Sequence, residues 1–108
     1  MAKFAEFKTA YLQREIPVVG TLAGDLKVGQ VCTFSGVDGT AIAAVADATP
    51  ITAGQWIVAQ SDMTMGEGHV PVENRDYRYS DIVKASATAK HVALFRIDNP
   101  EDIISYIV

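Results

Sequence analysis

One cysteine, Cys32, stands alone in a chain of 108 residues, and a lone thiol excludes a framework of intrachain disulfides. No stretch approaches the run of about 18 apolar residues that a membrane-spanning helix needs. The opening MAKFAEFKTA lacks the apolar core of a secretory leader. The expectation is a chain made and used in a reducing, soluble setting, without a membrane partner. Positive charge is also scarce. Nine Lys and Arg against thirteen Asp and Glu leave a net charge of −4, and no basic run exists. Binding through nucleic-acid phosphates needs a concentrated positive surface, so a nucleic-acid partner is not expected. What is abundant is ordinary globular material. The hydrophobic share of 49% is high enough for a real core, and the length suits a single domain.

Catalytic patterns are missing as well. Cys32 needs a base to act as a nucleophile, and the histidines are His69 and His91. Cys32 lies beside Phe34 in a strand-like pattern, where a thiol is usually buried and inert. Neither histidine belongs to a His-x-x-x-His spacing. The segment GEGHVP lacks the third glycine and following helix of a phosphate loop, and no Gly-x-Ser-x-Gly elbow occurs. The carboxylate pairs Asp38/Asp47 and Asp76/Asp81 flank turns, where acids are usually solvated. The reading is a non-enzyme with no catalytic residues, no cofactor and no metal site. One alternative is a small-ligand or metal-binding β-barrel module in which Met63, Met65 and His69 of DMTMGEGH act as soft donors.

The pattern of the chain is that of short strands. All eight glycines fall between residues 20 and 68, and the runs between them are short and apolar. In LKVGQVCTFSG, Cys32 and Phe34 share one face and Val31 and Thr33 the other. DGTAIAAVAD opens with an Asp-Gly turn signal and continues as a small-residue strand. GQWIVAQSD sets Trp56 and Val58 opposite Ile57 and Ala59. HVPVEN reads as an edge strand because of Pro71, and HVALFRIDN as the last strand. Helical signals are few. Ser80 is placed to cap a short helix through Val83 to Ala87, with Asp81 in its first turn. Asn99 followed by Pro100, Glu101 and Asp102 is a helix start, and EDIISYIV would hold only if Ile103, Ile104 and Ile107 docked. At the other end, Phe4, Phe7 and Tyr11 share one face if residues 3–15 are helical; an extended arm is equally open. The predicted fold class is mainly β (α+β): a small β-barrel or β-tulip-like domain with one or two short helices and an N-terminal arm. Residues 1–17 form the arm or short helix, and residues 18–108 the single β-rich domain.

The run DYRYSDIVKA (76–85) puts Arg78 between Tyr77 and Tyr79, a composition favoured where one protein surface meets another. Three stretches then carry a resemblance. DGTAIAAVADAT (38–49) resembles the Asp-Gly turn and small-residue strand of the head decoration proteins of tailed bacteriophages, of the phage lambda type. YRYSDIV (77–83) resembles that family's aromatic-Arg-Tyr-Glu-Asp-Val segment, and the chain ends in Ile107 and Val108 as that family can. Residues 1–35, aromatic and charged, depart from the family's Gly-, Pro- and Ala-rich arm.

The resemblance implies a capsid decoration protein on the outside of a virion, made in the host cytoplasm. It would sit as a homotrimer on the major capsid protein of an icosahedral shell and cement the shell after expansion. Phe4, Phe7 and Tyr11 would then be capsid-binding anchors. Tyr77, Arg78, Tyr79 and Asp81 would form the subunit interface. Another small virion component, a tail-tube or head-completion subunit, is the nearest alternative.

Overall fold

The computed structural model describes residues 2–9, 14–59 and 82–108. Nine strands run through them: β1 Lys3–Phe7, β2 Glu15–Leu22, β3 Leu26–Lys27, β4 Val31–Thr33, β5 Thr40–Ala44, β6 Trp56–Val58, β7 Ile82–Val83, β8 Ser86–Arg96 and β9 Ile103–Ile107. Five of them close a barrel in the order β2-β5-β4-β6-β8. The mainly β expectation is therefore borne out. The two chain ends form a separate antiparallel pair, β1 with β9, and β3 pairs with β7.

Alternation along the strands creates two cores. Val18, Leu22, Cys32, Phe34, Ile42, Trp56, Val58, Val92 and Leu94 fill the barrel. On the opposite face of the same wall, Val31, Ile57 and Phe95 pack with Ile97, Ala5 and Ile103, beneath the β1–β9 pair. The predicted facing of Cys32 and Phe34 against Val31, and of Trp56 and Val58 against Ile57, is what divides these cores. Among the described residues a polar tie crosses the barrel core: the Trp56 indole Nε1–H donates to the Phe34 carbonyl at 3.1 Å, and the two rings meet edge to face at 5.8 Å.

Two turns fix the register of the shared wall, and they have the same build. In Lys27–Gln30 and Thr52–Gln55 the fourth residue's N–H bonds the first residue's carbonyl. The third residue is a glycine with positive φ, +90° at Gly29 and +94° at Gly54, as a type II turn requires. Each glutamine is buried, and its side-chain Oε1 accepts the N–H of the turn's first residue at 3.0 Å. Each Gly-Gln pair then faces one residue of the next strand. Gly29 N–H donates to Val58, whose N–H donates to Gln30; Gly54 N–H donates to Ile97, whose N–H donates to Gln55. Two residues opposite one, led by a left-handed glycine, make a glycine-type β-bulge, a device that pins register at barrel rims.

Pro17 lies inside β2, so position 17 is within an element rather than at its border. β5 pairs only with Gly20 to Leu22, and on that open side the missing N–H of Pro17 costs no ladder bond.

Of the two conformations left open for residues 3–15, helix or extended arm, residues 3–7 take the extended one, a strand paired along its whole length with β9. The other helical expectations require correction. Ile82, Val83 and Ser86 to Ala87 are strand, not a capped helix, because Val83 enters the barrel core and Ser86 pairs with Leu22. Strand β8 begins at Ser86 and runs to Arg96, five residues earlier than His91, and it is followed by β9. Asn99 does cap, accepting from Glu101 N–H with Pro100 at the first position, but the result is one 3-10 turn, Pro100–Asp102. The β-branched and aromatic run after that turn favours a pleated, half-buried strand over a helix.

The bulge geometry makes Gly54→Ala costly by about 1–2 kcal/mol, because a Cβ disfavours the left-handed conformation. Gly24→Ala, with open space around its Cβ position, should stay within about 0.5 kcal/mol of the parent. Urea unfolding of the two variants checks this, and equal midpoints would remove the bulge's structural role.

Candidate interaction surface

The β1–β9 pair gathers what the described residues offer as a contact surface. Register places Lys3 opposite Ile107, Phe4 opposite Tyr106, Ala5 opposite Ser105, Glu6 opposite Ile104 and Phe7 opposite Ile103. Side chains alternate, so Lys3, Ala5, Phe7 and Ile103 turn toward the core, and Phe4, Glu6, Ile104 and Tyr106 toward the outer face. The Phe4 and Tyr106 rings stack at 6.0 Å and 17°. Phe7 meets Phe95 edge to face at 5.7 Å in the second core. The predicted arm residues Phe4 and Phe7 thus point to opposite faces, because a spacing of three that aligns side chains on a helix opposes them on a strand.

Exposed apolar residues concentrate here. Ile104, Tyr106, Ile107 and Val108 are 46, 44, 47 and 67% exposed; among the other described residues only Val28 and Val37 are large hydrophobics exposed to this degree. Beside them a shallow open cleft is lined by Ala2, Phe4, Asp25, Lys27, Gln30, Ile82 and Val108. Asp25 is already engaged there, accepting Ala85 N–H at 2.7 Å and facing Lys84 at 3.8 Å.

Backbone bonds on the two sides of the pair are unequal. Ala2 and Val108 exchange both bonds, at 2.8 and 3.0 Å, and Lys8 N–H donates to Asp102 at 2.9 Å. The even-numbered groups of β9 therefore face β1, and those of Ile103, Ser105 and Ile107 face away. The other edge of β1 is covered, since Ala5 N–H donates to the Gly29 carbonyl at 2.9 Å. Side chains tie β1 down further: Lys3, buried, donates its ammonium to the Thr49 carbonyl, and Lys8 Nζ donates to the Glu101 carbonyl at 2.8 Å.

The remaining sequence-selected residues divide cleanly. Tyr11, Tyr77, Arg78, Tyr79 and Asp81, with Met63, Met65 and His69, lie outside the described residues. His91 is exposed in the middle of β8, and Asp38 is exposed in the β4–β5 connection. Cys32 is fully buried in the barrel, where desolvation pushes its thiol from an ordinary 9.0 to about 12. Among the described residues no group of three or more His, Cys, Asp or Glu is placed to hold a metal ion, and no helix is long and apolar enough to cross a membrane. Sequence reasoning missed the β9 edge, although its signal is plain: IISYIV holds no charge, glycine or proline. Compared with protein-family models, curated proteins and solved structures, the chain matches none of them.

Burial of Cys32 gives stability a pH dependence of known sign. The folded thiol keeps its proton to about pH 12, whereas an unfolded thiol releases it near 9.0. The contribution is complete below pH 9 and is lost as pH rises toward 12, by at most about 1.4 kcal/mol per pH unit. The stability difference between the parent and Cys32→Ala should therefore shrink from pH 8 to pH 10. A difference that stays constant would show that the thiol is not desolvated, as would labelling by a thiol reagent without unfolding.

Proposed function

We propose that this chain is a structural protein of a virus particle that binds the outer surface of an icosahedral phage capsid and stabilises the expanded shell. The observation that carries the reading is the outer face of the β1–β9 pair. Both chain ends are fixed there into one sheet whose outer face presents Phe4, Ile104 and Tyr106, with Glu6 the single charge among the side chains of that face. A rigid apolar face held by two cores suits lasting contact with another protein surface, because little order is left to impose on binding. Phe4, Ile104 and Tyr106 would meet the capsid in this reading, with Phe7 acting from beneath through the second core.

The resemblance of residues 38–49 and 77–83 to phage head decoration proteins supports the same role. In that role the chain acts as a homotrimer with Tyr77, Arg78, Tyr79 and Asp81 in the seam. Repetition by symmetry makes weak contacts cumulative, since each arm of a trimer raises the effective concentration of the others.

Co-sedimentation with empty, expanded shells built from the major capsid protein encoded alongside this chain tests the reading. The expected result is saturable binding at a fixed ratio and a higher melting temperature for the shell. Ile104→Ser, on the exposed outer face, should weaken binding by roughly tenfold by removing apolar area from the contact. A full chain that stays in the supernatant at every concentration would refute the proposal.

A further inference from the structure

We infer that β9 pairs edge to edge with β9 of a second copy of this chain, across a two-fold axis that passes beside Tyr106. The inference does not depend on the capsid reading. It begins from the backbone groups that β1 leaves over. Ile103, Ser105 and Ile107 direct their N–H and carbonyl groups away from β1, and the Ile103 N–H is already given to the Pro100 carbonyl. Two outward donors remain on β9, at Ser105 and Ile107, and no described residue receives them.

Natural edges of this length are usually protected by charge, proline or a bulge. This one has none of these: IISYIV combines strand-favouring side chains with zero charge, the composition that pairs with itself. Two copies of net charge −4 repel over most of their surface, and β9 is a place where they can meet without setting like charges opposite each other. A second copy also offers the matching feature, because no other described strand of five or more residues has a whole edge without a partner.

Two antiparallel registers reach both free N–H groups of each copy. Ser105 opposite the partner's Ser105 sets Ile107 against the partner's Ile103, whose N–H is already given to Pro100, so that pair is only half made. Ser105 opposite the partner's Ile107, and Ile107 opposite the partner's Ser105, makes two fully exchanged pairs, and this is the register we infer. Tyr106 then lies opposite the partner's Tyr106 as a non-hydrogen-bonded pair, with Cα atoms about 4.5 Å apart. On the outer face this extends the Phe4–Tyr106 stack into a row of four aromatic rings, and it sets Ile104 against the partner's Val108. The assembly closes, because the far edge of β1 is occupied by Gly29 in both copies. A two-stranded ribbon becomes a four-stranded sheet.

The test uses the full-length protein. Tyr106→Cys should give a covalent dimer under mild oxidation, since a non-hydrogen-bonded pair falls within the Cα spacing of a disulfide, roughly 4.4–6.8 Å. Glu6→Cys, on the same face but one strand away from the axis, is the control and should stay uncrosslinked; native Cys32 is buried and does not compete. The parent mass should be an even multiple of the chain: two, or six where a three-fold seam forms as well. Ile107→Pro removes one outward N–H and leaves the β1 ladder intact, and it should halve that multiple. An odd-numbered or monomeric parent overturns the inference, as does Tyr106→Cys crosslinking no faster than Glu6→Cys. Shell binding is read separately, so an even-numbered protein that ignores capsids refutes the function while leaving the edge pairing in place.

Discussion

The fold depends on two glycine bulges. Gly29-Gln30 and Gly54-Gln55 each turn the chain, seal the turn with a buried glutamine side chain, and clamp one residue of the adjacent strand. Between them they set β4 against β6 and β6 against β8, the wall that both cores share. A slip of one residue at either clamp would exchange the faces of that wall, sending Val31 and Ile57 into the barrel and Cys32 and Trp56 out of it. The same bulges hold the chain ends. Gly29 lends its carbonyl to Ala5 in β1. Ile97, clamped by Gly54 and Gln55, follows directly on β8 and precedes the Asn99-capped turn that launches β9.

This arrangement explains why chain ends rich in apolar side chains remain ordered. An isolated ribbon of two strands is marginal in water. Here the ribbon is nailed to the barrel by Ala5, Phe7 and Ile103 below, by the buried Lys3 ammonium on the Thr49 carbonyl, and by Lys8 at the Glu101 carbonyl. On the outer face Phe4 stacks on Tyr106 and lies over Gly29, whereas Glu6, Ile104 and much of Tyr106 stay exposed. The apolar area of that face is thus left available for a partner, at little cost in ordering.

The barrel strands were legible because burial on alternate sides writes a period of two into the residues, as at Val31 to Phe34 and Trp56 to Val58. The Asp38-Gly39 turn signal was also sound, joining β4 to β5. The ends were not legible for a definite reason. Phe4 and Phe7 are three apart, a helical spacing, yet each answers to a different neighbour, Tyr106 above and Phe95 below. Asn99 and Pro100 carried a true helix-start signal, but a cap fixes only the first turn, and the β-branched run beyond it imposes the strand. The repeated Gly-Gln reads in the sequence as mere punctuation; its meaning lies in a side chain that folds back onto its own turn. Of the predicted contact residues, Phe4 lies on the candidate surface and Phe7 supports it from the core, whereas the Tyr77 segment lies outside the described residues.

A face and an edge of the same ribbon can serve two different partners without competition. Side chains of β1 and β9 project above the sheet, while the leftover backbone groups of Ser105 and Ile107 lie in its plane. Contact through the face is bounded by shape and apolar area, and it tolerates many surfaces. Contact through the edge is bounded by hydrogen-bond register, and it accepts only another extended strand. Joining copies through the edge would double the apolar face presented to a shell and fix the two halves rigidly with respect to each other. Weak individual contacts then act together, which is the physical requirement for a protein that stabilises a lattice by binding alone.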